Sequence, residues 1–151
     1  MSFIHKHFSN ALGFSLIELM IVVSIIAILA IVAFASYTNF LKSSRDAKRE
    51  SDIKFIQSAL EQYFADQKYY PFTVTSDSPI SFSGRTYMTK VPSDPLGTPA
   101  YSYQAKGTSC AESTPENCNN YCIYVRLEAS NPADDPGCPP SGDYNYGVAK
   151  P

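Results

Sequence analysis

The stretch Gly13–Ala35 reads GFSLIELMIVVSIIAILAIVAFA and constrains the rest of the chain more than any other segment. No charged residue occurs from Leu19 to Leu41. Because an α-helix rises about 1.5 Å per residue, twenty-odd apolar residues span the roughly 30 Å hydrocarbon layer of a bilayer. The sequence therefore predicts a membrane-spanning helix here, in preference to a buried helix in the core of so small a protein.

A short polar leader, residues 1–13, precedes the apolar run and carries Lys6. A positive flank before an apolar helix keeps that flank in the cytoplasm, which places the chain beyond Lys42 on the outer side. Glu18 is unusual, because a carboxylate costs about 2–3 kcal/mol when it moves toward the bilayer centre. Such a residue generally has a partner, so Glu18 is a candidate functional residue.

The heptapeptide Gly13–Leu19, GFSLIEL, followed by the long apolar run, resembles the cleavage and methylation signature of type IV prepilins and type II secretion pseudopilins. The resemblance implies that a prepilin peptidase cuts after Gly13 and N-methylates the new terminal residue, Phe14. It also implies assembly into a filament by an inner-membrane platform and a cytoplasmic ATPase. In this scheme the Glu18 carboxylate of one subunit meets the α-ammonium of an incoming one, an attraction that is strong where the dielectric constant is low.

A conventional secretory signal is the alternative interpretation of the same segment. Ala33-Phe34-Ala35 has the small-x-small pattern of a signal peptidase site, which would release a soluble protein beginning at Ser36. The chain would then be a secreted binding protein, or, if the segment were retained, a membrane-anchored enzyme. Glu18 argues against this interpretation, because it would lie in a region that is normally positive.

The helix is predicted to continue through an amphipathic segment, residues 38–70. Apolar residues recur there at spacings of three and four, which makes one apolar face: Ile53, Ile56, Leu60, Tyr63 and Phe64. The opposite side is predicted to be a solvated charged face: Arg45, Lys48, Arg49, Asp52 and Glu61. No Gly or Pro occurs from Phe14 to Tyr70, so one helix of about 54 residues is expected, ending before Pro71.

The remainder, residues 71–151, is predicted to be a small antiparallel β-sheet head covering the apolar stripe of the helix, which gives an α+β fold. Three stretches with alternating residues predict strands, around Tyr101–Gln104, Ile123–Glu128 and Tyr144–Val148. Such alternation predicts one packed and one solvated face. A short strand or helical turn is expected around Thr86–Thr89.

Asp94-Pro95-Leu96-Gly97 has the residue preferences of a type I turn. With its neighbours, residues 91–101, it is similar to the segment that leads into the sheet of the major pseudopilin, the protein G type. That family usually has Trp where this chain has Leu96, so the similarity is partial.

Four cysteines lie in the last third of the chain, and in an exported domain they predict two disulfides with three alternative connectivities. The pairing Cys110–Cys118 with Cys122–Cys138 closes the shortest loops. Zinc is the competing explanation, but the spacing lacks the close cysteine pair typical of zinc sites. Major pseudopilins generally lack such bridges, whereas type IV pilins often have one.

Three carboxylates near the end of the chain, Asp134, Asp135 and Asp143, lie in a Pro- and Gly-rich loop. Pseudopilins often bind calcium in a carboxy-terminal loop, and calcium prefers carboxylate ligands. The spacing matches no defined loop motif, so a solvated acidic turn is the alternative, and no other cofactor is expected.

The 151-residue chain has a net charge of −2, which does not favour nucleic acid as a partner. Its two histidines, His5 and His7, both lie in the leader, which weakens any catalytic scheme that needs an imidazole base. The sequence thus predicts a filament subunit and not an enzyme. The precursor would be a single-pass protein of the cytoplasmic membrane, with residues 14–37 in the bilayer and the head outside, before it joins other copies in a periplasmic or extracellular filament.

Overall fold

The structure, a computed structural model, describes residues 13–97, 99–129 and 135–151. The chain divides into two compact units, Met1–Thr38 and Asn39–Pro151. One helix, α1, runs from Leu16 to Gln67. Its residues up to Thr38 belong to the first unit, and its residues from Asn39 onward belong to the second. The predicted α+β fold, with a long amino-terminal helix and small antiparallel sheets, is confirmed.

Helix α1 ends at Gln67, three residues before the predicted end. Lys68 has a φ of +68° in the left-handed region, and its amide donates a hydrogen bond of 2.8 Å to the carbonyl of Phe64. This is the αL arrangement that satisfies a last-turn carbonyl and stops a helix. The turn at Lys68 therefore ends the helix, and Pro71 lies in the segment beyond it.

The head contains two antiparallel sheets. Strands β1 (Ile80–Phe82) and β2 (Arg85–Met88) form a hairpin whose two turn residues, Ser83 and Gly84, both have positive φ, as two-residue hairpin turns prefer. The sequence predicted an element near β2 but not its partner β1. A separate three-stranded sheet has the order β3-β4-β5.

The three-stranded sheet contains the three predicted strands, β3 (Ser102–Lys106), β4 (Asn120–Val125) and β5 (Tyr146–Ala149). Strand β4 is central, with Tyr103 opposite Ile123 on one side and Val148 opposite Ile123 on the other. The prediction that β4 has one solvated face is wrong, because every residue from Tyr121 to Val125 is buried. Cys122 and Tyr124 face a small second cluster that includes Cys138, Tyr144 and Ala149, so the carboxy-terminal segment covers the side that alternation predicted to be wet.

The main core joins the predicted apolar stripe of α1 to the inward side of β4. Buried side chains from the helix, the hairpin and the sheet form one cluster, among them Ile53, Ile56, Leu60, Ile80, Tyr121, Ile123 and Val125. Rings fill much of it, with Tyr70 edge-on to Tyr121 and stacked with Phe64. The helix is thus fixed to the sheet by side-chain packing over residues 53–64.

Two disulfides link Cys110 to Cys118 and Cys122 to Cys138, the same pairing that closes the shortest loops in the sequence. The first closes a loop that contains a short 3-10 helix, Pro115–Asn117. The carbonyl of Cys118 accepts a hydrogen bond from the Tyr70 amide, which holds this loop against the end of α1. The second attaches the carboxy-terminal segment to β4.

Candidate functional site

The predicted processing site lies at the point where non-helical chain becomes helix. Gly13, Phe14 and Ser15 are not helical, and the Phe14 side chain is 78% exposed. The first helical hydrogen bond runs from the Leu19 amide to the Ser15 carbonyl at 3.2 Å, which makes Ser15 the N-cap residue. The Gly13–Phe14 peptide bond therefore lies in exposed, non-helical chain, as a protease substrate requires.

Glu18 lies in the first turn of α1, with its side chain exposed. A carboxylate in this position interacts favourably with the partial positive charge of the helix amino terminus. Ser15 and Glu18 also have the Ser-x-x-Glu spacing of a capping box, a feature that the sequence reasoning missed. Glu18 is thus placed both to stabilise the start of the helix and to pair with a positive group near the helix amino terminus.

The apolar part of α1 is exposed along the first unit. Its most apolar 18-residue window has a mean hydropathy of 3.0, and none of that window is buried. By length and composition this is a helix that can cross a membrane. Side chains such as Leu16, Ile31 and Phe34 are each more than 70% exposed, a surface that needs lipid or other protein around it.

The head contains a charged cluster centred on Arg49, which is only 2% exposed. Its guanidinium donates to both carboxylate oxygens of Asp94, at 2.6 and 3.1 Å. It also donates to Asp46 at 2.8 Å and to Glu128 at 2.7 Å. One arginine therefore joins helix α1 to the turn at Asp94 and to the segment that follows β4.

Neighbouring groups complete the cluster. Arg45 donates to both oxygens of Glu128, at 2.7 and 2.6 Å. Asp46 accepts hydrogen bonds from the backbone amides of Glu128 and Ala129, at 2.9 and 2.7 Å. The hydrogen bonds from Arg45, and then those from Arg49, lower the pKa of Glu128 to about 2, although partial burial acts in the opposite direction. The hydrogen bonds that Arg49 donates, above all to Asp94 and then to Glu128 and Asp46, raise the pKa of Arg49 above its ordinary value.

The prediction that Arg45, Arg49 and Asp52 lie on a solvated face is wrong. Arg49 and Asp52 are buried and Arg45 is half-buried, because the head covers this side of the helix. Asp46 and Arg49 lie at the three- and four-residue spacings that lead to Ile53 and Ile56, so the buried face of α1 continues as a charged face. That spacing was a signal in the sequence, but charge alone suggested solvent.

The turn predicted at Asp94 is confirmed and has a second role. The Gly97 amide donates to the Asp94 carbonyl at 2.9 Å, and the Leu96 amide donates to the Asp94 side chain at 2.8 Å. The carboxylate is thereby held in position to bind Arg49. Nothing in the sequence of the turn indicates this partner, which is 45 residues away.

Two of the three calcium candidates, Asp135 and Asp143, lie among the described residues. Asp135 accepts hydrogen bonds from the Gly137 and Ala149 amides, at 2.8 and 3.0 Å, so both of its oxygens are used in holding the loop to β5. Asp143 is exposed in a turn, and Asp134 lies outside the described residues. No group of three acidic, histidine or cysteine side chains in the described ranges could hold a metal ion. Calcium binding by this loop stays a prediction.

Comparison with known proteins agrees with the geometry of the amino-terminal segment. The family model for the prokaryotic N-terminal methylation motif matches residues 8–34. The chain is also similar to the type II secretion system core protein G of Pseudomonas aeruginosa, with 34% identity over 107 residues, covering 64% of this chain and 75% of that protein. No solved structure matches the chain.

A match of that length cannot be confined to the apolar segment, so it extends into the head. The match agrees with the exposed Gly13–Phe14 sequence, with the carboxylate in the first turn of α1 and with the packing of residues 53–64 of this helix on a small sheet. The chain belongs to the type IV pilin and type II secretion pseudopilin family.

Proposed function

We propose that the chain is a structural subunit of a type II secretion pseudopilus or of a related type IV pilus-like filament. The observation that carries the proposal is the exposed apolar part of α1, which has a carboxylate in its first turn and follows the exposed, non-helical Gly13–Phe14 bond. The similarity to core protein G favours the secretion pseudopilus as the first candidate.

The precursor is held in the cytoplasmic membrane by residues 14–37, with residues 1–13 in the cytoplasm and the head outside. A prepilin peptidase cuts after Gly13 and methylates Phe14, which leaves an α-ammonium within one helical turn of Glu18. In the membrane this ammonium lowers the cost of keeping the Glu18 carboxylate near the hydrocarbon layer. An inner-membrane platform and a cytoplasmic ATPase then move subunits into the filament.

During assembly the apolar surface of α1 passes from lipid to the corresponding surfaces of other copies. Its apolar groups stay out of water throughout, so burial alone gives little preference for one position along the filament axis. The pairing of Glu18 with the ammonium of a neighbouring copy supplies that preference, because an unpaired charge among apolar helices is costly. The role is structural, and the proposal includes no catalytic step by this chain.

The variant Glu18→Ala tests this role. We expect normal insertion in the membrane and normal cleavage, but little or no chain in the sheared filament fraction, because the pairing is lost. Glu112→Ala, which removes an exposed carboxylate from the disulfide-closed loop, is the matched control and should give the wild-type amount of filament. A wild-type yield from Glu18→Ala would contradict the role of Glu18.

A further inference from the structure

The four half-cystines of the head differ in their exposure to solvent. Cys118, Cys122 and Cys138 are buried, each with at most 1% of its surface exposed, whereas Cys110 is partly exposed. The chain on either side of Cys110 lies at the surface, because residues 107–109 and 112–113 are all exposed. A thiol in solution can therefore approach one bridge from the Cys110 side, while both half-cystines of the other bridge lie inside the head.

Backbone carbonyl groups shield the buried bridge, Cys122–Cys138, further. The Gly137 carbonyl oxygen lies 3.5 Å from Cys122 Sγ, and the Tyr121 carbonyl oxygen lies 3.6 Å from Cys138 Sγ. A disulfide is opened by a thiolate that attacks one of its sulfurs, so the reaction depends on access to that sulfur and on the charge around it. A negatively polarised oxygen beside each sulfur opposes the approach of a thiolate.

The two bridges also differ in how much packing depends on them. Cys122 and Cys138 are members of the second buried cluster, which covers one face of β4, so opening their bridge disturbs a core. Neither Cys110 nor Cys118 belongs to the two buried apolar clusters that the described residues form. Opening Cys110–Cys118 is therefore a local change that leaves the packing of the head in place.

The loop that Cys110–Cys118 closes has hydrogen bonds of its own. The Ser109 carbonyl accepts one from the Thr114 hydroxyl at 2.8 Å and one from the Asn117 side-chain amide at 3.4 Å. These bonds hold the loop together without the bridge, so the two sulfurs stay near each other and the bridge can form again. Ser109 has a φ of +64°, a conformation that is strained for a residue with a Cβ atom. Relief of this strain favours the open form.

We propose that Cys110–Cys118 is a reversible thiol-exchange site, at which a dithiol opens the loop while Cys122–Cys138 stays closed. The attacking thiolate bonds to Cys110 Sγ, the bond between the two sulfurs breaks, and Cys118 leaves as a thiolate that takes a proton from water. The second thiol of the reductant then loses its proton and attacks the mixed disulfide, which releases Cys110 as a thiolate that is protonated in turn. The reductant leaves as a disulfide, and the head gains two electrons and two protons.

Carboxylates on the same loop select among reductants. Glu112 and Glu116 are both exposed, and residues 110–118 include no basic side chain. A thiol with acidic groups of its own, such as glutathione, is repelled by this loop, and salt screens the repulsion. The site therefore fits a dithiol that has no acidic groups beside its reactive sulfur.

Graded reduction of the full chain in detergent tests the difference between the bridges. After brief treatment with dithiothreitol and alkylation of the free thiols, peptide mass spectrometry should find Cys110 and Cys118 modified at least about ten-fold faster than Cys122 and Cys138. The near-ultraviolet signal of the tyrosines should persist while only the first pair is open. Equal rates for the two pairs, or earlier opening of Cys122–Cys138, would overturn the proposal.

Two matched variants test whether Cys110 is the sulfur that is attacked. Cys118→Ala leaves a free thiol at position 110, and Cys110→Ala leaves one at position 118. In the folded proteins the first thiol should react with dithiodipyridine, a neutral disulfide, at least about ten-fold faster than the second. In concentrated urea the two should react at similar rates, which controls for the reagent. Equal rates in the folded proteins would contradict attack at Cys110.

A comparison of two monothiols tests the selection by charge. At low salt and equal thiolate concentration, glutathione should open Cys110–Cys118 several-fold more slowly than mercaptoethanol, which is neutral. The double variant Glu112→Gln with Glu116→Gln should bring the two rates closer together, as should added salt in the wild type. A ratio of rates that neither the variant nor salt changes would overturn the assigned class of reductant.

Discussion

At the scale of single residues, Arg49 connects three parts of the head. Its guanidinium binds Asp46 on its own helix, Asp94 in a turn and Glu128 after β4. A buried ion pair adds little stability when compared with well-packed apolar residues, but removing one member leaves the others charged and without compensation. Arg49 therefore acts mainly to fix where the two loops meet the helix.

Replacing Arg49 with Met should destabilise the head by about 3–5 kcal/mol, because three carboxylates lose a common hydrogen-bond donor in a buried setting. Urea unfolding of the full chain in detergent, followed by the near-ultraviolet signal of its tyrosines, measures the change. Lys54→Met, which alters an exposed cation on the same helix, should change stability by less than about 0.5 kcal/mol. Equal losses in the two variants would show that the cluster does not hold the loops.

Glu128 makes the stability of the head depend on pH. Its pKa falls from an ordinary 4.5 to about 2 in the folded protein, so the unfolded chain binds more protons between these values. Stability from Glu128 is therefore fully present above about pH 4.5 and is lost as the pH falls through 2, by about 3 kcal/mol. Urea midpoints across this range measure the effect, and Glu128→Gln should flatten the slope. An unchanged slope in that variant would assign the acid sensitivity to other groups.

At the scale of elements, β4 is buried on both faces because two different parts of the chain cover it. Ile123 and Val125 pack with the main core, which includes α1, and Cys122 and Tyr124 pack with the carboxy-terminal segment. The disulfide Cys122–Cys138 and the hydrogen bonds of Asp135 hold that segment in place. The bridge therefore completes a second small core, whereas Cys110–Cys118 closes a loop beside Tyr70.

The two bridges should differ in their contribution to stability. The loop closed by Cys122–Cys138 spans 16 residues and that closed by Cys110–Cys118 spans 8, so loop entropy alone predicts about 3 and about 2.5 kcal/mol. Removing Cys122–Cys138 also disrupts the packing around Tyr124 and Ala149, which adds to the loss expected for this bridge. The paired variant Cys122→Ala with Cys138→Ala should therefore unfold at lower urea than Cys110→Ala with Cys118→Ala. The reverse order would mean that the loop closed by Cys110–Cys118 has the larger structural role.

At the scale of the whole molecule, apolar patterning was sufficient to predict the helix, its buried stripe at Ile53–Phe64 and the three strands of the larger sheet. These features depend on residues close together in the chain. The partners of Arg49 and the cover over Cys122 could not be predicted, because each depends on contacts between distant segments. Strand β1 was missed although its partner β2 follows after two residues, and the Ser83-Gly84 turn between them was a local signal. Lys68 ends the helix with a positive φ, a conformation that a lysine side chain does not predict.

The candidate site divides in the same way. Gly13, Phe14 and Glu18 were predicted as site residues from one short motif, and their roles stay predictions. The charged cluster around Arg49 depends on how α1, the turn at Asp94 and the segment after β4 come together. Sequence alone marks Arg49 only as a charged residue on a polar face.

Intact mass and amino-terminal sequencing of the mature protein test the central claim most directly. We predict a chain that begins at Phe14 and carries one additional methyl group on its α-nitrogen. This result would establish prepilin processing and leave Glu18 one turn from an α-ammonium group. A mature chain that begins at Ser36, or that retains residues 1–13, would contradict the account of this protein as an assembled filament subunit.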